Sequence, residues 1–315
     1  MSKVLVVVLL IALAGASLPA QQLDPITTWA TMAAYEYDVY PDIVYKRASN
    51  VDLKLDVITA GPKSQMRPTV VYFHGGGWMA ETKADTGLYY LPYLAQGMDF
   101  VNVDYRLASV ALAPAAVEDC RCALRWVYRH ASEYGFDTSK LVVEGHSAGG
   151  HLALMTGMLD SSAGFDNECP GKENLKVNAI VNYAGITDVV DLLQGPHTTA
   201  FALMWLGSLP DRMELAKKLS PLSYVRPGSP PIITVHGDKD TLVPYEQAVR
   251  LHEALDRAGA PNELVPGHGA AHCCDRSWTR QGSALAQEAV LKFLQQHGVL
   301  ELLRRTDYNY RGGPK

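Results

Sequence analysis

At 315 residues and 48% apolar composition, the chain can bury a large core, as one α/β domain or as two smaller ones. Its 28 basic and 33 acidic residues leave a formal charge of −5, with no basic block. Nucleic acid is therefore excluded as an expected partner, and so is a polybasic patch for a membrane surface.

In chain order, Lys3 opens a hydrophobic run over 4–14, followed by small residues and Pro19. This pattern predicts a signal peptide over 1–20, cleaved after Ala16 or Ala20. Gly15 and Pro19 end the run short of a bilayer span. The remaining 21–315 is expected as a single domain, secreted or periplasmic, with no membrane partner after cleavage. Strands are predicted at 51–58, 69–73, 99–104, 140–144, 177–183, 231–236 and 262–265. The runs at 70–73, 141–143 and 232–235 are short and unbroken, as in strands covered on both faces, while 51–58 alternates like an antiparallel edge. Helices are predicted at 88–96, 115–134, 148–159, 245–259 and 283–297. The fold class is α/β: a doubly wound, mostly parallel sheet with helices on both faces. Residues 186–229 break the alternation with short helical pieces at 198–205 and 212–219, either a small cap insertion or an ordinary crossover.

Export permits disulfides. The cysteines are Cys120, Cys122, Cys169, Cys273 and Cys274, and their odd number leaves at least one unpaired. Cys120 and Cys122 face different directions on one helix, so either is a partner for Cys169 rather than for the other. A C-x-C and an adjacent C-C do not make a zinc knuckle, so no metal is expected.

Chemistry concentrates in four places. Gly145-His146-Ser147-Ala148-Gly149 is a G-x-S-x-G placed where a strand gives way to a helix, the context a nucleophile elbow needs. His74-Gly75-Gly76-Gly77-Trp78 follows a strand, and such glycines let backbone N–H groups approach a substrate oxygen. Ala148 would add a further donor. Asp238 and Asp240 follow the 231–236 strand as candidate acids, with Asp188 a third that reads better as a helix cap. His268 and His272 are candidate bases in a Gly/Ala-rich loop. His74, His146, His151 and His236 read as structural. Trp78, Trp205 and Tyr245 either line a pocket or pack in the core. The order Ser, Asp, His is that of the α/β-hydrolases.

With these residues in place, the chain from about Tyr45 to His297 resembles secreted carboxylesterases of the α/β-hydrolase superfamily. It sits near the hormone-sensitive-lipase-like branch and looks closest to the bifunctional acetylxylan/feruloyl esterase-like family. The resemblance rests on "KLDV" at 54–57, "HGGGW" at 74–78, "VDYRL" at 103–107, "PAAVEDC" at 114–120, "GHSAGGHLAL" at 145–154 and "HGDKDTLVPY" at 236–245. It implies Ser147 as nucleophile, Gly76, Gly77 and Ala148 as oxyanion donors, and Asp240 as the acid. His272 is implied as base, with His268 as the alternative, because "HCCD" departs from the family's usual glycines. The implied reaction is ester hydrolysis without metal or organic cofactor, on a small-molecule or carbohydrate (acetyl or feruloyl) ester. Two rivals are an arylformamidase-like amide hydrolase, which shares the elbow and loop motifs, and a binding module on the same fold. Oligomeric state has no signal in the sequence.

Overall fold

The unbroken apolar runs become the middle of one eight-stranded sheet. The computed structural model describes residues 27, 31, 35 and 37–301, except 62, 209 and 273–277. The expected signal segment, Cys273 and Cys274 lie outside the described residues. Residues 1–36 form a separate unit, in which Thr31 Oγ1 donates to the Thr27 carbonyl at 2.8 Å.

In the second unit the strands are β1 (Asp38–Ala48), β2 (Val51–Thr59), β3 (Arg67–Phe73), β4 (Asp99–Val103), β5 (Phe136–His146), β6 (Ala179–Tyr183), β7 (Ile232–Gly237) and β8 (Asn262–Gly267). Their order is β1-β2-β4-β3-β5-β6-β7-β8. β2 runs antiparallel to both neighbours, and from β4 onward every pairing is parallel. Val70, Val71, Val142 and Val143 are fully buried, which is why their runs do not alternate.

One expectation is corrected here. The 51–58 run is antiparallel but not an edge, because β1 covers it. Sequence reading missed β1 because its pairing shifts register twice and Asp42 takes a φ of 57°, so no clean period survives.

The helices are α1 (Leu91–Leu94), α2 (Ala115–Arg129), α3 (Ala131–Tyr134), α4 (Ala148–Met158), α5 (Ala200–Leu206), α6 (Arg212–Lys218), α7 (Tyr245–Ala258) and α8 (Arg280–Gln296). The long helix expected over 115–134 breaks at His130, whose ring Nδ1 and backbone N–H both approach the Trp126 carbonyl. The run expected over 88–96 shortens to one turn. Helices α2, α4 and α7 pack on one face of the sheet, through Leu124, Leu152 and Leu251 against Val71, Val143 and Ile232. Helices α1 and α8 pack on the other, through Leu94 and Phe293 against Val142 and Ile233. Truncating any of these buried side chains to alanine costs about 2–5 kcal/mol.

Two family-type motifs turn out to be structural. Arg106 of "VDYRL" meets Asp119 of "PAAVEDC" through two bonds of 2.8 Å, both residues being buried. Cys122 forms the disulfide with Cys169, while Cys120 is buried and unpaired. Two residues along a helix is roughly 200° around it, so Cys120 faces the core while Cys122 meets the 159–178 connection.

Candidate active site

The elbow exists because backbone meets backbone. A Cβ on Gly145 would lie 2.3 Å from the Gly149 backbone, and one on Gly149 would lie 2.0 Å from the Phe73 carbonyl oxygen. No side chain fits at either position, so α4 can seat directly on the end of β3. Between these glycines Ser147 takes φ 54° and ψ −119°, a conformation unfavourable for a side-chain-bearing residue. Its N–H donates to the Tyr183 carbonyl at 2.8 Å, which ties the turn to β6.

The loop after β3 lies beside this turn. A Cβ on Gly75 would come within 3.2 Å of the His146 carbonyl. Gly76 and Gly77 take φ of 83° and 60°, and a Cβ on Gly76 would strike the Ala80 carbonyl oxygen at 2.2 Å. Among the described residues the N–H groups of Gly76, Gly77 and Ala148 have no protein acceptor. Ala148 also opens α4, whose end favours negative charge. All three expected donors are thus available to a developing oxyanion.

Sequence reading missed what holds this loop. The Tyr105 hydroxyl lies 2.9 Å from the His74 carbonyl and 2.8 Å from that of Gly75, and the Tyr105 ring stacks on His74 at 4.2 Å. Trp78 and Glu81 also adopt φ near +60°, at 59° and 67°. Glu81 leans toward Gly75, and its carboxyl is raised by burial, with Asp85 next, against smaller lowering effects of the Gly75 backbone and the charge of a protonated His272. The Trp78 indole is fully buried and stacks on Trp205 at 4.0 Å, with His151 edge-on at 5.0 Å. Both tryptophans therefore belong to the core. Tyr245 is half-buried and edge-on to His236.

The candidate acid and base come from the loops after β7 and β8. His272 Nδ1 lies 2.6 Å from Asp240 Oδ2. An ionised carboxylate can only accept, so Nδ1 carries the proton and Nε2 is left to act as base. His272 is a fifth exposed, and when it is protonated its charge is felt at His146, the residue before Ser147. Asp240 also accepts from the N–H groups of Leu242 and Val243, at 2.8 and 3.0 Å. Burial alone would raise its carboxyl, but bonds from His236 and His272 outweigh that and hold it well below the usual range.

His236 has a larger part than the strand end expected of it. Its Nε2 lies 3.1 Å from Asp240 Oδ2 and 2.9 Å from the Val243 carbonyl, so that nitrogen is the donor and the imidazole braces the carboxylate. The three buried histidines of the loop, the elbow and α4 are held neutral near pH 7. Burial lowers His74 and His151 to about 4 and His146, with the charge of His272 next, to about 3.

The remaining candidates lie apart. Asp238 pairs with His268 at 3.2 Å on the surface, where the His268 side chain is 83% exposed. Asp188 accepts from the N–H groups of Val190 and Asp191, at 3.1 and 3.3 Å, but the cap of the turn that follows is Val189, and the Asp188 carboxylate also pairs with Arg250 at 3.2 Å. The 186–229 segment holds α5 and α6 and packs against the oxyanion loop, with the Phe201 side chain 3.2 Å from where a Gly77 Cβ would stand.

Residues 55–255, well over half of the chain, match the family described as BD-FAE. The chain belongs to the BD-FAE family. Relatives of this BD-FAE protein include Esterase LipC of Mycobacterium tuberculosis (strain ATCC 25618 / H37Rv), 28% identical over 211 residues, or 64% of this chain and 52% of LipC. Esterase LipQ of the same organism is 28% identical over 239 residues, or 72% of this chain and 55% of LipQ. The chain therefore spans about half the length of these curated relatives. In three dimensions it matches the thermophilic esterase Est2 of the Planctomycetes species Thermogutta terrifontis, solved with propionate bound. That match has a TM-score of 0.72 and 31% identity, over 86% of this chain and 97% of Est2. The same esterase phosphonylated by sarin matches with a TM-score of 0.72 and 30% identity, over 85% and 97%. The fold is that of the α/β-hydrolases, and LipC, LipQ and Est2 are esterases.

Proposed function

We propose that this BD-FAE protein is a serine carboxylic-ester hydrolase that works through an acyl-enzyme. The observation that carries the reading is the 2.6 Å Asp240–His272 pair, whose charge when protonated reaches the residue before Ser147, a serine held in a strained turn at the start of α4. His272 Nε2 takes the Ser147 proton as Oγ attacks the ester carbonyl. Asp240 holds the imidazole tautomer and stabilises the imidazolium. The N–H groups of Gly76, Gly77 and Ala148 receive the oxyanion, each contributing about 3 kcal/mol at comparable sites. The alcohol leaves with the proton from His272, and water repeats the attack on the acyl-enzyme. Short-acyl esters, and acetyl or feruloyl esters of carbohydrate, are the proposed substrates. The propionate bound to Est2 supports the first class, and the resemblance of the motifs to the acetylxylan/feruloyl esterase-like family supports the second. Action outside the cytoplasm is supported by the Cys122–Cys169 disulfide together with the signal-like start of the sequence.

Ser147→Ala is expected to lower turnover of 4-nitrophenyl acetate by about a million-fold; a loss below about tenfold would refute the assignment. Release of acetate and ferulate from plant xylan, run beside that ester and an N-formyl arylamine, separates the substrate classes. Turnover of the formamide in preference to the esters would move the protein to the amide-cleaving class.

A further inference from the structure

Glu81 is a carboxylate beside the oxyanion loop that none of the steps above uses. It takes φ 67°, a backbone conformation that favours glycine over any residue with a side chain. Its Oε2 lies 3.3 Å, and the His146 carbonyl oxygen 3.2 Å, from one point, the place where a Gly75 Cβ would stand. That carbonyl is the one joined to the Ser147 nitrogen. The charge of a protonated His272 is felt at Glu81 and at His146 alike. The carboxylate thus neighbours both the peptide leading into the proposed nucleophile and the proposed base.

Its charge is unanswered, unlike that of the acids around it. Lys83, two residues on, is taken by Asp42 and Asp56, at 3.1 and 2.7 Å. Asp85 and Asp104 accept from the N–H groups of Thr82 and Lys83, at 2.9 and 2.6 Å. Among the described residues no cation pairs with Glu81, and the residue is exposed. Tyr89 stands beside it: the residue is 44% exposed, its ring lies 4.8 Å from that of His146, and its hydroxyl is raised by burial and then by the charge of Glu81. An ionised carboxylate next to an open aromatic ring attracts a positive charge from solution.

Acyl transfer through a serine and a histidine creates an oxyanion and an imidazolium together. Glu81 repels the first and attracts the second, so on a neutral ester its two effects oppose each other. A formal charge on the ester itself meets no such cancellation. We propose that Glu81 sets the charge preference of the site, favouring esters that carry an ammonium group and rejecting esters that carry a carboxylate, an inference that rests on the ester-hydrolase reading. Because water and salt reach this carboxylate, the selectivity is several-fold rather than several decades.

Two matched pairs of acetate esters read charge with little change of shape. Acetylcholine and 3,3-dimethylbutyl acetate differ by a cationic nitrogen in place of a carbon, and 4-acetoxybenzoate differs from its methyl ester by a negative charge. Acetate release by the full-length protein is measured at about pH 8, where an exposed glutamate is ionised. In Glu81→Gln the ratio of kcat/KM for acetylcholine over its neutral partner should fall about fivefold, and that for 4-acetoxybenzoate over its methyl ester should rise about as much. Glu81→Gly, whose backbone suits φ 67°, should reproduce both shifts, which separates loss of charge from a disturbed loop. Both shifts should shrink in about 0.5 M sodium chloride. Ratios unchanged in both variants, with the neutral esters still cleaved, overturn the role of Glu81 and leave the ester reading standing. Shifts undiminished by salt overturn it equally, since they report shape and not charge. If the parent protein cleaves none of the four esters, the ester reading fails, and the role of Glu81 with it.

Discussion

Two aspartate–histidine pairs occupy the same two loops, and they share almost every feature visible in a sequence. Asp238 and Asp240 both follow β7, and His268 and His272 both follow β8, 30 and 32 residues further on. In the outer pair, Asp238 accepts from the Gly269 N–H at 2.8 Å and lies 3.2 Å from a histidine that is 83% exposed. In the inner pair the carboxylate side chain is completely buried, the imidazole is 2.6 Å away, and two backbone N–H groups and His236 supply the remaining bonds. An exposed pair is screened and can rotate away, whereas a buried and over-bonded carboxylate can hold only one histidine tautomer. What separates the proposed dyad from a surface contact here is the shell around the acid.

The sharpest way to break this contrast is to remove the bases in turn. His272→Ala is expected to lower kcat by about 10⁵–10⁶-fold, while His268→Ala stays within about threefold, measured with 4-nitrophenyl acetate. The reverse order would exchange the roles of the two loops. Next in size, Asp240→Asn should cost about 10⁴-fold by favouring the wrong tautomer. The same variant should melt below the parent at pH 7. Because its folded-state pKa is depressed, Asp240 contributes stability that is present above its unfolded value of about 4, so the melting difference should shrink as pH falls below that. His236→Asn, which removes the brace, should lower kcat by about tenfold with little change in KM. A matching loss in Asp238→Asn would show that the outer carboxylate is equally involved. The smallest effect is expected for Asp238→Asn itself, within about 0.5 kcal/mol of parental stability by denaturant titration.

The elbow was legible because its constraint is local. Gly145 and Gly149 are demanded by contacts closer than any side chain allows, and strand and helix patterns flank them directly. The oxyanion loop was legible for the same reason at Gly76. The acid and base were narrowed to a choice between neighbours, because burial is settled by loops that no periodicity describes. Tyr105 and His236 escaped notice since each acts on a backbone carbonyl or a carboxylate contributed from elsewhere. The disulfide was legible as a choice between Cys120 and Cys122, and the side of α2 that each occupies decided it. β1 was invisible because its bulges erase the alternation by which a strand is recognised.

The stack of Trp78 on Trp205 gives the protein an optical reporter of its own. Two indoles 4.0 Å apart and 11° from parallel, held in a fully buried setting, form a coupled pair of chromophores. One belongs to the loop that carries the oxyanion donors and the other to α5. Any movement of that helix away from the loop alters the coupling. Near-ultraviolet circular dichroism can therefore report whether α5 moves relative to this loop without an added label.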